Sequence, residues 1–150
     1  MSGETNGTRI IIGCDHAAFK LKETVKKHIE DLGISIVDAG TFSEASVDYS
    51  DIGADVSSRI ASGEFERGIL ICGTGIGMSM VANKYPHVRA ALCNDLFSAV
   101  MSKKHNNANI LVMGGRVIGD ILALEIVDTW LKTEFEGGRH QRRLDKFDTI

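Results

Sequence analysis

The chain has one proline (Pro86) in 150 residues, three cysteines, 6% aromatic residues and a net charge of only −3. A single proline leaves no proline-rich linker. An odd cysteine count excludes a fully paired disulfide framework, and without a secretion signal it points to reduced thiols in a cytoplasmic setting. The small negative charge offers no field to hold nucleic acid or an anionic membrane surface. No apolar run approaches the roughly 20 residues of a membrane span. The start, MSGETNGT, is polar and lacks the apolar centre of a signal peptide. Residues 1–8 therefore read as a flexible leader. Residues 9–150 read as one domain, with a basic tail at 137–150.

What is present is alternation. Arg9–Gly13 (RIIIG) is a short β-branched run, read as a strand covered on both faces. Ala18, Leu21, Val25, Ile29 and Leu32 then recur at helical spacing, up to Gly33. Ile34–Ala39 reads as a second strand, followed by a polar loop through Ser50. Ile52, Val56 and Ile60 form a helical stripe that ends at Gly63. Gly68–Cys72 is the third strand, and Gly77–Lys84 can begin a helix. Arg89–Cys93 is the fourth strand, Asp95 caps a helix toward Lys104, and Asn109–Met113 is the fifth. A longer helix spans about Gly119–Lys132. Strands alternating with helices from end to end predict an α/β fold. It is a single three-layer α/β/α, Rossmann-like domain with a five-stranded parallel sheet and a C-terminal helical extension.

Ligands of open parallel sheets bind at the carboxyl ends of the strands. In this sequence those ends carry Cys14-Asp15-His16, Cys72-Gly73-Thr74-Gly75, Asn94-Asp95 and Gly114-Gly115-Arg116. Asp15 and Asp95 also suit plain helix N-caps. Cys93 and Cys14 read as buried packing thiols. Cys72 differs because a glycine-rich turn follows it. A free thiol, with a pKa near 8.5, is only about 3% thiolate at pH 7, and a helix N-terminus lowers that pKa. Gly73, Gly75 and Gly77 leave the turn amides unshielded, a concavity for oxygen anions. A base beside amide donors suits taking a proton from carbon while an oxyanion develops, and one such donor is worth about 3–4 kcal/mol.

Other chemistries fail on spacing. A cysteine-dependent phosphatase loop needs an arginine where Met78 stands, and neither GxxxxGK[ST] nor GxGxxG occurs. Metal ligation by Cys14, His16 and Cys72 has no supporting CxxC or HExxH spacing. His105 and Asn106 close the fourth helix, which at about 10 residues spans roughly 15 Å. They should lie at the amino edge, far from Cys72 of the same chain. A catalytic part for them requires delivery by another subunit; otherwise His105 is a helix C-terminal residue favoured by the dipole. Arg139 and Arg143 share a helical face, with His140 and Arg142 adding donors. Such a cluster is either a solvated surface or a clamp for an anionic substrate.

With these residues assembled, the chain resembles the ribose-5-phosphate isomerase B family, which includes the galactose-6-phosphate isomerase subunits. The resemblance runs from about Arg9 to Phe147 through GCDHAAFKLK, DAGTFS, VDYSD, ILICGTGIGMSMVANK, RAALC, SKKHNNANILVMGGRV and EGGRHQRR. It implies interconversion of an aldose phosphate and a ketose phosphate through a cis-enediolate, with no metal or other cofactor. By position, Cys72 would move the proton between C1 and C2, and Gly73, Thr74, Gly75, Ile76 and Gly77 would hold the enediolate oxygens. His105 would assist ring opening, with Asp15 as its complement. His16, Arg139 and Arg143 would bind phosphate, Asn106 and Arg116 would contact substrate, and Tyr49 would line the pocket. The resemblance also implies a homodimer, in some members paired into a tetramer, whose active sites use both subunits. Relatives without the cysteine carry glutamate at the Met78 position, so the thiol is the only base candidate in this turn. Ser50 and Asn107 depart from the family's usual proline and aspartate. Two other readings remain at this stage. One is a phosphocysteine carrier, although in the phosphotransferase IIB domains the cysteine follows the first strand. The other is a non-catalytic module with the turn as an anion nest.

Overall fold

The isoleucine triplet Ile10-Ile11-Ile12 has no solvent-exposed surface, as a β-branched run covered on both faces must. The computed structural model describes residues 9–150. In chain order the elements are β1 Ile10–Cys14, a 3₁₀ turn His16–Ala18, α1 Phe19–Asp31, β2 Ile36–Asp38, α2 Tyr49–Ala61 and β3 Arg67–Cys72. They continue with α3 Ile76–Ala82, β4 Ala90–Leu92, α4 Leu96–Lys104, β5 Ile110–Gly114, α5 Asp120–Lys132 and α6 Arg139–Phe147. The leader at 1–8 lies outside the described residues. Among the described residues, no helix is long and apolar enough to cross a membrane.

The five strands form one sheet in the order β2-β1-β3-β5-β4, every pairing parallel. Alternate residues of the central strands feed two cores. Ile12, Ile71, Leu111 and Met113 pack with Val25, Ile29, Val127 and Trp130 of α1 and α5. Ile11, Leu70, Cys72 and Val112 pack with Val56, Ile60 and Met78 of α2 and α3 on the other face. Two cores, one per face, make the three layers, and each fully buried aliphatic side chain contributes about 1.5–3 kcal/mol of transfer free energy.

The expected α/β/α order is present. Element ends shift by a residue or two, and two shifts matter. The first helix is preceded by a 3₁₀ turn, because Asp15 caps it by accepting from the Ala17 amide. The second helix begins at Tyr49, inside what the polarity of VDYSD marks as loop. The basic tail does form a helix, α6, anchored by His140 and Leu144.

The crossover topology positions the chemistry. β2 lies on one side of β1 and β3 on the other, so the connections leaving β1 and β3 part in opposite directions. That switch point is where a crevice opens above the sheet. It is flanked by Asp15-His16 after β1 and by Cys72-Gly73 after β3, which the Asp15 amide joins by donating to the Ile71 carbonyl at 3.2 Å.

Candidate active site

Cys72 is the last residue of β3, opposite Gly114 of β5, and is only 4% exposed. Its sulfur accepts the Gly75 amide at 3.2 Å. The turn can fold back this way because Gly75 has φ +83°, a left-handed conformation that a Cβ disfavours. A side chain at 75 would also collide with Leu92 and meet the Met113 carbonyl carbon at 3.0 Å. Thr74 Oγ1 accepts the Ile76 amide at 3.1 Å, which leaves the hydroxyl hydrogen free to donate. The turn is pinned from below by the Gly115 amide on the Cys72 carbonyl (2.8 Å) and the Arg116 amide on the Gly73 carbonyl (2.9 Å).

The remaining predicted residues of this edge converge on the same turn. Arg116 is exposed, and its side chain runs past Gly73, with Cδ 3.6 Å from where a Cβ would stand. The Tyr49 ring, brought by the first turn of α2, lies against Gly77; a Cβ there would be 2.6 Å from the ring. His16 Nδ1 accepts the Val47 amide at 3.2 Å, so the neutral ring carries its hydrogen on Nε2 as a donor. Asp15 is 7% exposed, and one of its carboxylate oxygens is engaged by Ala17.

The other two thiols are separated from this turn. Cys14 belongs to the core on the α1 face and Cys72 to the core on the α2 face, so a shared metal ion is excluded. Burial pushes the Cys14 thiol up to about 12 and the Cys93 thiol up to about 11. Both are packing residues, as their setting in the sequence implies.

His105, Asn106, Arg139 and Arg143 are not part of this arrangement. His105 terminates α4, which runs from the carboxyl edge after β4 to the amino edge before β5. There its ring stacks on His140 of α6, with 4.2 Å between centroids. Asn106 lines a cavity of about 470 Å³ with Tyr85, Arg89 and Phe147. One residue that sequence reasoning did not select, Glu136, joins the histidine pair. Glu136 Oε1 lies 3.7 Å from His105 Nε2 and 3.6 Å from His140 Nε2. No local signal marked it, because Glu136 precedes α6 and is placed by its amide bond to the Lys104 carbonyl of α4. Ligand atoms of this trio lie within 4.8 Å of one another, close enough to share a cation. Burial, then His105 and Arg139, hold the His140 pKa below its ordinary value.

Comparison with known proteins adds a second line of observation. The model of a family described as ribose/galactose isomerase matches residues 10–147. The chain is 44% identical over 142 residues to ribose-5-phosphate isomerase B of Escherichia coli K12, covering 95% of each chain. Its fold matches the crystal structure of a ribose 5-phosphate isomerase from Thermotoga maritima with a TM-score of 0.93 and 53% identity, over 95% of this chain and 99% of that one. It also matches ribose-5-phosphate isomerase B of Mycoplasma genitalium with bound ribulose 5-phosphate, TM-score 0.91 and 39% identity, over 94% of both chains.

Proposed function

This chain belongs to the ribose/galactose isomerase family and is a sugar-phosphate isomerase, and we propose that it interconverts ribose 5-phosphate and ribulose 5-phosphate without a metal. The observation that carries this reading is the Gly75 amide aimed at the Cys72 sulfur within an open glycine turn. In the open-chain aldose, the Cys72 thiolate removes the C2 proton. The electron pair flows to the carbonyl oxygen and gives a cis-enediolate. The Cys72 thiol then returns the proton to C1 while the C2 hydroxyl proton moves to O1, completing the ketose. The unshielded amides of residues 73–77 supply donors for the enediolate oxygens, and the free Thr74 hydroxyl hydrogen suits relay between O1 and O2. Tyr49 walls the turn, and Arg116 with the His16 Nε2–H is available for substrate oxygens and phosphate.

Ring opening needs an acid–base group near the sugar ring oxygen, and His105 is at the far edge of its own chain. We infer a homodimer in which one protomer supplies the Cys72 turn and its partner supplies His105, Asn106, Arg139 and Arg143. Exposed apolar side chains near that turn, Ile76 and Met80 on α3 and Phe97 on α4, support an interface there. Pairing into a tetramer, a place in the pentose phosphate pathway and a cytoplasmic location belong to the same proposal.

Subunit mixing tests both parts. Cys72→Ala and His105→Asn are each expected to abolish turnover of ribose 5-phosphate with a chelator present. Unfolded together and reassembled, they should recover about a quarter of wild-type activity, because half of the dimers carry one intact shared site. Appreciable turnover by Cys72→Ala alone rejects the thiol as base, and no recovery on mixing rejects the shared site.

A further inference from the structure

At the amino edge of the sheet, away from the thiol turn, a cavity of about 630 Å³ is lined by Arg67, Arg89 and Lys103 together with His87 and Asn107. The cations come from three elements. Arg67 opens β3, Arg89 immediately precedes β4, and Lys103 lies in the last turn of α4. All three are partly buried. Arg89 and Lys103 are also held in place. Arg89 Nε donates to the Asn107 carbonyl at 2.9 Å, and its guanidinium lies 3.5 Å from Asp148. The Lys103 ammonium sits 4.6 Å over the buried Trp130 ring and donates weakly to the Ala108 carbonyl at 3.4 Å. Among the described residues, Glu66, exposed on the rim, faces Arg67 and Asp148 faces Arg89.

Partly buried like charges repel, and the effect is visible in one of them. Desolvation, then Arg67 and Arg89, lower the Lys103 pKa. A bound anion would convert this repulsion into attraction. Two planar forks and one ammonium are the donor set suited to a tetrahedral phosphate, which has several oxygens to share among them. The volume exceeds what a phosphate fills and falls in the range of small-molecule sites.

We propose that this cavity is a second anion site, which takes a phosphomonoester with its phosphate between Arg67, Arg89 and Lys103. It lies apart from the thiol turn and is a different cavity from the one that Asn106 lines, although His87 and Arg89 line both. The α4–β5 connection nonetheless links the two, since Lys103 precedes His105 by two residues and Arg89 holds the Asn107 carbonyl.

The test is calorimetric titration of the intact protein with inorganic phosphate at fixed ionic strength. Lys103→Met keeps the stem over Trp130, and Arg67→Gln removes a charge at a partly exposed position; the second variant serves should the first fail to fold. Each is expected to weaken one phosphate event by about tenfold or more while leaving kcat on ribose 5-phosphate at subsaturating phosphate unchanged. That event should persist in an Arg139→Ala/Arg143→Ala chain. Adenosine monophosphate binding tighter than phosphate would show the organic portion filling the rest of the cavity, and equal affinity would show recognition of phosphate alone. The proposal is overturned if Arg67→Gln and Lys103→Met bind phosphate as the wild type does, or if the Arg139→Ala/Arg143→Ala chain binds none.

Discussion

The His105 and His140 rings lie stacked, 4.2 Å apart and 13° from parallel, with one oxygen of Glu136 near both Nε2 atoms. Two imidazoles this close cannot both be charged without cost, and His140, buried and beside Arg139, is the one whose charged form is disfavoured. The pair is therefore built to avoid a double positive charge, and His140 is the ring kept neutral.

A pH dependence of stability follows. The folded-state pKa of His140 lies below its unfolded value of about 6.5. Over that window the unfolded chain binds more protons, so stability falls as pH drops. Glu136 opposes the shift, while Arg143 adds to it. The wild-type melting temperature should fall more steeply between pH 7 and pH 5.5 than that of His140→Gln. Equal slopes would remove His140 as the titrating group.

Thiol chemistry should be confined to one residue. Near pH 8, Cys14 and Cys93, pushed to about 12 and about 11 by burial, stay protonated and covered. Iodoacetamide is expected to label Cys72 alone, slowly because that residue is 4% exposed, with activity lost in proportion. Peptide mapping that finds the label on Cys14 or Cys93 would contradict this.

Lys22 should be the costliest single side chain outside the site. It is fully buried, and its ammonium donates to both Asp38 oxygens, at 2.9 and 2.7 Å, and to the Thr41 carbonyl at 2.8 Å. Burial alone would raise the Asp38 pKa, but bonds from Lys22 and the Gly40 amide hold it below the ordinary value. Lys22→Met leaves that carboxylate only Lys26, at 3.3 Å, and the Gly40 amide, and should cost about 3 kcal/mol in urea unfolding, with much of the loss recovered in Lys22→Met/Asp38→Leu. A single variant as stable as the wild type would refute the pairing.

The same lysine shows where sequence reading stops. Lys22 falls among the charged residues of an amphipathic helix, and periodicity assigns it to solvent. Its partners come from β2 and the loop beyond, a tertiary coincidence that local pattern does not carry. The strands were legible because Ile10–Ile12, Ile69–Ile71 and Ile110–Val112 are covered on both faces and so form unbroken apolar runs. The thiol turn was legible too, since backbone constraint writes glycine directly into the sequence at 73, 75 and 77. The start of α2 was not, because Asp48-Tyr49-Ser50-Asp51 carries no apolar period. Glu136 was missed for the reason that hid Asp38: its meaning depends on α4 arriving beside it.

The Tyr49 ring standing where a Cβ of residue 77 would go ties the two positions into an ordered history. A lineage can trim the aromatic first and enlarge the glycine afterwards. The reverse sequence passes through an ancestor whose ring must first swing aside to admit the new Cβ. Changes at 49 and 77 are thus coupled, with the trimmed ring the easier first step, although 27 intervening residues separate them along the chain.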